Sequence, residues 1–367
     1  MSITIGVLVP KSKQFITIDS DFLSGIKLAF PDLKLHIETI GIGADSDLII
    51  EKIQKLHFQE NINIIVGLLG HWNINEILEY TSQHQILFIV NEIGATLPIN
   101  IDKYDSVFIN SYQLCESVYF LNRYFKENKI SKIATSTSYY DCGYGILSAI
   151  EQGSIENNIS IEGHYITPFV PRENEAELMN QTIHNIEPEA VIAFHSGLYA
   201  EEHATFLTEV KLLNNYKYFI TPFTLNEKIL KLDKNINIIG SWLPTSDCSF
   251  NQAYNKKYKK NASLISLLGF ETGLIISNIV KENNDEIEVA NLNFFSIEGP
   301  RGKINFTSKK NRRFNYNYYI YKMENCNSSY PLFEKKHMLP NDGSFIKLIN
   351  NNSKEQIGGW QNAYLCH

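Results

Sequence analysis

Short β-branched runs alternate with amphipathic stretches of helical length twice along this chain, and no other feature restricts its fold as strongly. In the first series Ile3 to Val9 reads as a strand. Asp21 to Phe30 reads as a helix with Phe22, Ile26, Leu28 and Ala29 on its buried face, ended by Pro31. Leu35 to Ile40 is the next strand. Asp45 or Ser46 then caps a helix carrying Leu48, Ile49, Ile53 and Leu56, and Ile62 to Val66 follows as a buried strand stopped at Gly67. A helix over 74–83 and strands Ile86 to Val90 and Val107 to Ile109 complete the series. This order predicts a mostly parallel sheet with helices on both faces.

The second series runs helix 112–127, strand Lys132 to Thr137, helix 144–155, strand Ile159 to Ile166, helix 173–186, strand Ala190 to Phe194, helix 199–213 and strand Tyr218 to Ile220. After it come strand Ile236 to Trp242, helical patterns over Asn251 to Lys259 and Leu264 to Lys281, and a β-rich tail from Lys303 that includes Tyr316 to Tyr321. Both sheets precede the long helix, so it has to pack back on the first, and repeated crossings make a hinge. The expected architecture is α/β with two doubly wound lobes: residues 1–110 and 246–300 form one, 111–245 and 301–330 the other, and 331–367 are an extension. At 367 residues the chain has the length for two cores.

Composition narrows the function. With 44% hydrophobic and 20% charged residues the chain supplies proper cores and is no disordered polymer. A formal net charge of -7 repels a phosphate backbone, and the one dense basic run, Lys309, Lys310, Arg312 and Arg313, is short, so nucleic acid is not an expected partner. Cys115, Cys142, Cys248, Cys326 and Cys366 are scattered, with no CxxC pair and no Cys/His spacing suited to zinc. Neither a disulfide framework nor a metal or other cofactor is expected. No apolar run approaches the roughly 20 residues that span a bilayer, so membrane insertion is not expected. The strand-like run from Ile3 has no basic n-region, apolar h-region or cleavage site before it, which predicts a chain that is not exported as written and works in the cytoplasm. A native leader ahead of Met1 would instead make it periplasmic.

Five segments, in this order, resemble the type I periplasmic-binding fold, in its leucine/isoleucine/valine-binding and amide- or urea-binding branch. They are Ile5-Gly-Val-Leu-Val-Pro10, Phe22-Leu-Ser-Gly-Ile-Lys-Leu-Ala29, Ile65-Val-Gly67, Asp141-Cys-Gly-Tyr-Gly145 and Gly299-Pro-Arg-Gly-Lys-Ile-Asn-Phe306, and the resemblance spans residues 3 to 322. Singly, Gly67 and Gly70, or Gly143 and Gly145, do no more than serve a turn. Jointly they imply two Rossmann-like lobes joined by a multi-strand hinge, with ligands held outside the carboxyl ends of the strands.

Carried over residue by residue, the resemblance implies a pocket unlike that of amino-acid-binding members. Where those members place a small hydroxyl after the strand ending at Val66, this chain has His71, Trp72 and Asn73: a flat wall and two hydrogen-bonding side chains. The next loop, Asn91 to Thr96, offers Glu92 as an acceptor, with Gly94 and Thr96 as backbone and hydroxyl contacts. In the second lobe the aromatic clamp falls near Tyr140, Cys142 and Tyr144, with Ser196 in the cleft. The acid that pairs with a ligand ammonium should follow Ile220, where the chain reads Thr221-Pro-Phe223-Thr224. Without it an α-amino acid is disfavoured unless Glu92 substitutes, and a neutral amide, a urea-like compound or an aromatic ligand fits better. The implied function is non-catalytic capture of a small molecule by lobe closure, with an ABC permease as partner. The alternative is a cytoplasmic sensor of the amide-sensor type that acts on a regulatory protein.

Enzyme signatures are thin. Gly41-Ile-Gly-Ala-Asp45 lacks the GxGxxG spacing, and neither a P-loop nor a GxSxG elbow occurs. His195-Ser196-Gly197 follows a strand, yet no base and orienting acid can be read around it, and the pair His195 and His203 has no accompanying acidic ligand pattern. An α/β enzyme using the same cleft is the further alternative.

Overall fold

The computed structural model describes residues 3–70, 74–210, 215–232, 236–244, 248–282, 296–305, 313–323 and 333–351. Strands β1 (Thr4–Val9), β2 (Lys34–Thr39), β3 (Ile64–Leu68), β4 (Leu87–Glu92) and β5 (Val107–Ser111) form an all-parallel sheet in the order β2-β1-β3-β4-β5. Helices α1 (Ile18–Ala29), α2 (Ser46–Gln54) and α3 (Ile74–Gln83) connect its early strands. β3 is an unbroken apolar run and β4 is apolar up to Asn91 and Glu92, and both are buried at every position, as a parallel sheet covered on both faces requires. At the start of α2 it is Asp45 that caps, accepting from the backbone N–H groups of Asp47 and Leu48.

The second sheet holds β6 (Lys132–Ser138), β7 (Ser160–Thr167), β8 (Ala190–Phe194), β9 (Lys217–Ile220) and β10 (Ile236–Gly240), paired in parallel in the order β10-β9-β8-β6-β7. It is wound by α4 (Leu114–Glu127), α5 (Ile146–Asn157), α6 (Glu175–Ile186) and α7 (Gly197–Glu209). Both sheets share one winding order, so each has a switch point, between β1 and β3 in lobe 1 and between β6 and β8 in lobe 2. α4 begins two residues later than its apolar pattern predicts. Gln113 takes a left-handed conformation there, with φ 66°, and its N–H donates to Ser111 Oγ, which turns the chain out of β5 and into the other lobe.

The chain then returns. α8 (Ser249–Tyr258) and α9 (Leu264–Glu282) pack on α1 of lobe 1. The α1–α9 seam depends on glycine: a Cβ at Gly25 would collide with the Ser266 carbonyl, and one at Gly269 with the Phe22 carbonyl. By length and composition α9 could cross a membrane, but its apolar residues are mostly buried against lobe 1. The hairpin β11 (Ser296–Gly299) to β12 (Gly302–Asn305) follows. β13 (Tyr318–Met323) then pairs antiparallel with β10 and β14 (Phe333–Leu339) with β13, so the tail extends the second sheet. α10 (Ser344–Asn351) lies on α4, with the rings of Phe345 and Tyr119 4.7 Å apart. β13 starts at Tyr318, not at Tyr316 as the β-rich pattern suggests, because the Tyr316 ring is taken by the hinge.

Candidate functional site

Lobe 2 builds its switch point around one buried carboxylate. After β6 the chain makes a 3-10 turn over Asp141–Gly143 before entering α5. Asp141 accepts from Ser138 Oγ at 2.7 Å, from Ser196 Oγ at 2.7 Å and from the Ser196 N–H at 3.0 Å, which ties the loops after β6 and β8 together. Aromatic rings collect over this junction. Tyr140 and Tyr144 meet edge to face at 5.5 Å, and Tyr140 stacks on Tyr199 at 5.9 Å.

Beneath the junction runs a second polar chain. The Ser136 hydroxyl lies 3.3 Å from His195 Nε2, His195 stacks on His203 at 3.8 Å, and His203 Nε2 lies 2.8 Å from the Tyr218 hydroxyl. Burial holds both imidazoles neutral, with His203 pushed down to about 3 and His195 well below its ordinary value by burial and by the neighbouring His203. The Ser196 hydroxyl donates to Asp141, while His195 partners Ser136. This arrangement has no imidazole base on the serine and offers no activated nucleophile. Among the described residues no group of three or more His, Cys, Asp or Glu side chains could hold a metal ion.

Lobe 1 meets this surface with the loops that follow β1 and β4. Phe15 lies edge to face with Phe223 at 6.2 Å. Gln14 comes so close to Gly197 that a Cβ there would strike its amide oxygen. On the other side the Gly145 N–H donates to the Ala95 carbonyl at 2.8 Å, and a Cβ at Gly145 would lie 2.7 Å from Leu97 N. Every one of these residues follows the carboxyl end of a strand, so the two switch-point crevices face each other and the lobes are in contact across them.

The residues expected at the pocket divide into groups. Tyr140 and Tyr144 cluster with Tyr199 beside the Asp141–Ser196 junction, and Phe223 pairs with Phe15 of the opposite lobe. Thr96 is half-buried in the loop touching Gly145. Cys142 is half-buried, its thiol donating to the Tyr139 carbonyl. Gly94 has φ +73° and its carbonyl accepts from the Cys115 N–H at 2.8 Å, a turn position. Glu92 is buried and forms an ion pair with Arg313 at 2.8 Å. His71, Trp72 and Asn73 lie outside the described residues. Reasoning from sequence missed Gln14, Phe15, Asp141 and Tyr199. Their signal was available, because all four follow strands that flank a switch point.

A family model described as periplasmic binding protein matches residues 2–328. The chain belongs to that family. Among solved structures, an ABC transporter substrate-binding protein from Sphaerobacter thermophilus superposes with a TM-score of 0.78 at 16% identity, covering 93% of this chain and 98% of that one. A solute-binding protein of an ABC transporter from Rhodopseudomonas palustris BisB5, in complex with 3,4-dihydroxybenzoic acid, gives 0.74 at 18% identity over 94% and 99%. A branched-chain amino acid transporter substrate-binding protein from Streptococcus pneumoniae, in complex with isoleucine, gives 0.62 at 15% identity over 91% and 100%. At these identities the likeness is one of fold. No curated protein matches the sequence. The family and its solved relatives bind small solutes and are not enzymes.

In this binding protein the hinge is as polar as the cleft. Arg301, at the tip of the β11–β12 hairpin, forms an ion pair with Glu271 of α9 and donates to the Ser111 carbonyl at 2.7 Å and to Asn110 Oδ1 at 3.0 Å. Its guanidinium sits 3.8 Å over the Tyr316 ring and 5.7 Å from that of Tyr112, whose hydroxyl donates to the Trp242 carbonyl. One buried cation thereby joins all three crossings, those near 111, 242 and 316.

Proposed function

We propose that this binding protein closes on a flat, uncharged or aromatic solute, such as an amide, a urea-like compound or an aromatic acid, and hands it to an ABC permease. The observation that carries the reading is the aromatic lining of the facing strand ends, Phe15 paired with Phe223 between the lobes and Tyr140 clustered with Tyr144 and Tyr199 at the lobe 2 switch point, while Asp141 and Glu92 are engaged by protein donors. An α-amino acid brings an ammonium that needs an anionic partner once water is excluded. Aromatic faces instead give area to a flat ligand, and a few hydrogen bonds orient it. Solved relatives in complex with benzoate and 4-hydroxybenzoate lend support to the aromatic arm, and the isoleucine complex to the competing one. Trp72, His71 and Asn73 join the proposed pocket from their loop position alone.

Calorimetry against benzamide, urea, benzoate, 3,4-dihydroxybenzoate and isoleucine tests this reading. An aromatic or amide probe is expected to bind best, and Trp72→Ala and Phe223→Ala to weaken it at least about tenfold. Tightest binding of isoleucine would overturn it. For the location and partner, the family match and the ABC transporter relatives support a periplasmic site facing a permease. Recovery of the protein from its native host in the cytoplasmic fraction, bound to a regulator, would replace that reading with the sensor.

A further inference from the structure

The basic run singled out by composition ends on Arg313, whose side chain is only 9% exposed and lies inside the hinge. We infer that Arg313 is a positioning residue for ligand capture, a strap that holds the binding loop of lobe 1 against lobe 2. The inference rests on the proposed function only in taking that loop to serve a ligand. Arg313 Nη1 lies 2.8 Å from Glu92 Oε1, and Nη2 and Nε donate to Glu116 Oε1 at 2.9 Å and 3.2 Å. Glu92 is the last residue of β4 and opens the loop 93–97, whose Ala95 carbonyl meets Gly145 across the cleft. Glu116 belongs to the first turn of α4 in lobe 2. Arg313 itself bridges to Ile109 of β5 in the third crossing. One side chain thus touches the binding loop, the other lobe and the hinge.

The charges explain why the strap favours closure. Glu92 and Glu116 are 4% and 1% exposed, so Arg313 stands between two carboxylates that water does not reach. Without the guanidinium, two carboxylates remain buried together, where burial and mutual repulsion oppose their ionisation. Moving the lobes apart lets water reach them and separates α4 from the loop, a smaller change than unfolding either core. The nearest other titrating groups, Cys115 and Tyr318, sense the same charges but bring no second cation to the carboxylates. Arg301 stands close by, committed to Glu271.

The test compares full-length wild type, Arg313→Gln, Arg313→Lys and the double variant Arg313→Gln with Glu116→Gln. Small-angle scattering without added solute reads lobe opening, thermal melting reads the fold, and calorimetry uses 3,4-dihydroxybenzoate as probe. Arg313→Gln is expected to raise the radius of gyration while still melting cooperatively, and to weaken probe binding at least about tenfold. Arg313→Lys should fall between, because one ammonium cannot reproduce a two-pronged contact. The double variant, relieved of one buried charge, should return towards wild-type scattering. Wild-type scattering from both single variants, or no recovery in the double variant, overturns the strap. If Arg313→Gln fails to fold, Arg313→Lys carries the test and must open. A wild type that ignores the probe weakens the aromatic reading of the pocket, while the scattering still decides the strap.

Discussion

The two lobes share a winding order but fill their interiors differently. In lobe 1 the central strands are nearly all aliphatic: β3 is Ile-Ile-Val-Gly-Leu, and β4 is apolar until Asn91 and Glu92 at its carboxyl end. In lobe 2 the strand β6, which takes the place of the mostly apolar β1 (Thr-Ile-Gly-Val-Leu-Val) in the winding, buries Thr135, Ser136, Thr137 and Ser138 and lies beside His195, His203 and Tyr218. Thr135 also meets His164 at 2.7 Å. Both lobes have apolar cores, and lobe 1 carries a small buried network of Asn91, Asn110 and Thr272, but at this strand position lobe 1 relies on packing and lobe 2 on hydrogen bonds. In lobe 2 Asp141 also ties the loops after β6 and β8 together.

This contrast can be broken from either side. The largest effect should come from shape: Gly269→Leu places a branched side chain where even a methyl collides with the Phe22 carbonyl. Lobe 1 should lose about 3 kcal/mol or more, with exchange protection lost in β1 and β3 before β6 and β8. Acid should reverse that order. Depressed imidazole pKa values mean that the His195 and His203 contribution is present above about 6.5, the unfolded value, and is lost as pH falls from there towards about 3. Hydrogen exchange at pH 4 should therefore show lobe 2 opening first, by an amount on the order of a few kcal/mol, and His195→Phe with His203→Phe should flatten the dependence. Equal acid sensitivity of the two lobes would remove the comparison. The smallest effect is expected from Asp141→Asn, which keeps the shape but leaves one of three donors without its acceptor. A loss of roughly 1–3 kcal/mol should appear in urea melts of lobe 2.

Alternation of strand and helix patterns made both sheets legible, and the return of α9 to lobe 1 followed from its position after both. Pairing over long separations was not legible. Glu92 reads as a loop carboxylate available to a ligand until Arg313, far along the chain, is brought to it by the third crossing. Arg301 sits inside the segment Gly299 to Phe306, which the sequence offers only as part of a resemblance, and its turn proves to be the device that delivers a cation to the hinge. Phe15 carries no periodic signal, since it lies between β1 and α1, and its partner Phe223 comes from the opposite lobe. Asp141 lay within a recognised segment, but a single buried acceptor for three donors is a property of two loops meeting, which neither loop displays alone.

The α1–α9 seam also sets a schedule for synthesis. α1 ends at Ala29 and α9 at Glu282, roughly 250 residues apart, so at ~5–20 residues per second the partner emerges on the order of 10–50 s later. During that interval the apolar face of α1 around Gly25 has no mate, whereas β6 to β10 and their helices are made in one uninterrupted stretch. The half of the protein that leaves the ribosome first thus waits for a helix made after the five parallel strands of the other lobe, and its open face is the surface that a nascent-chain chaperone would have to cover.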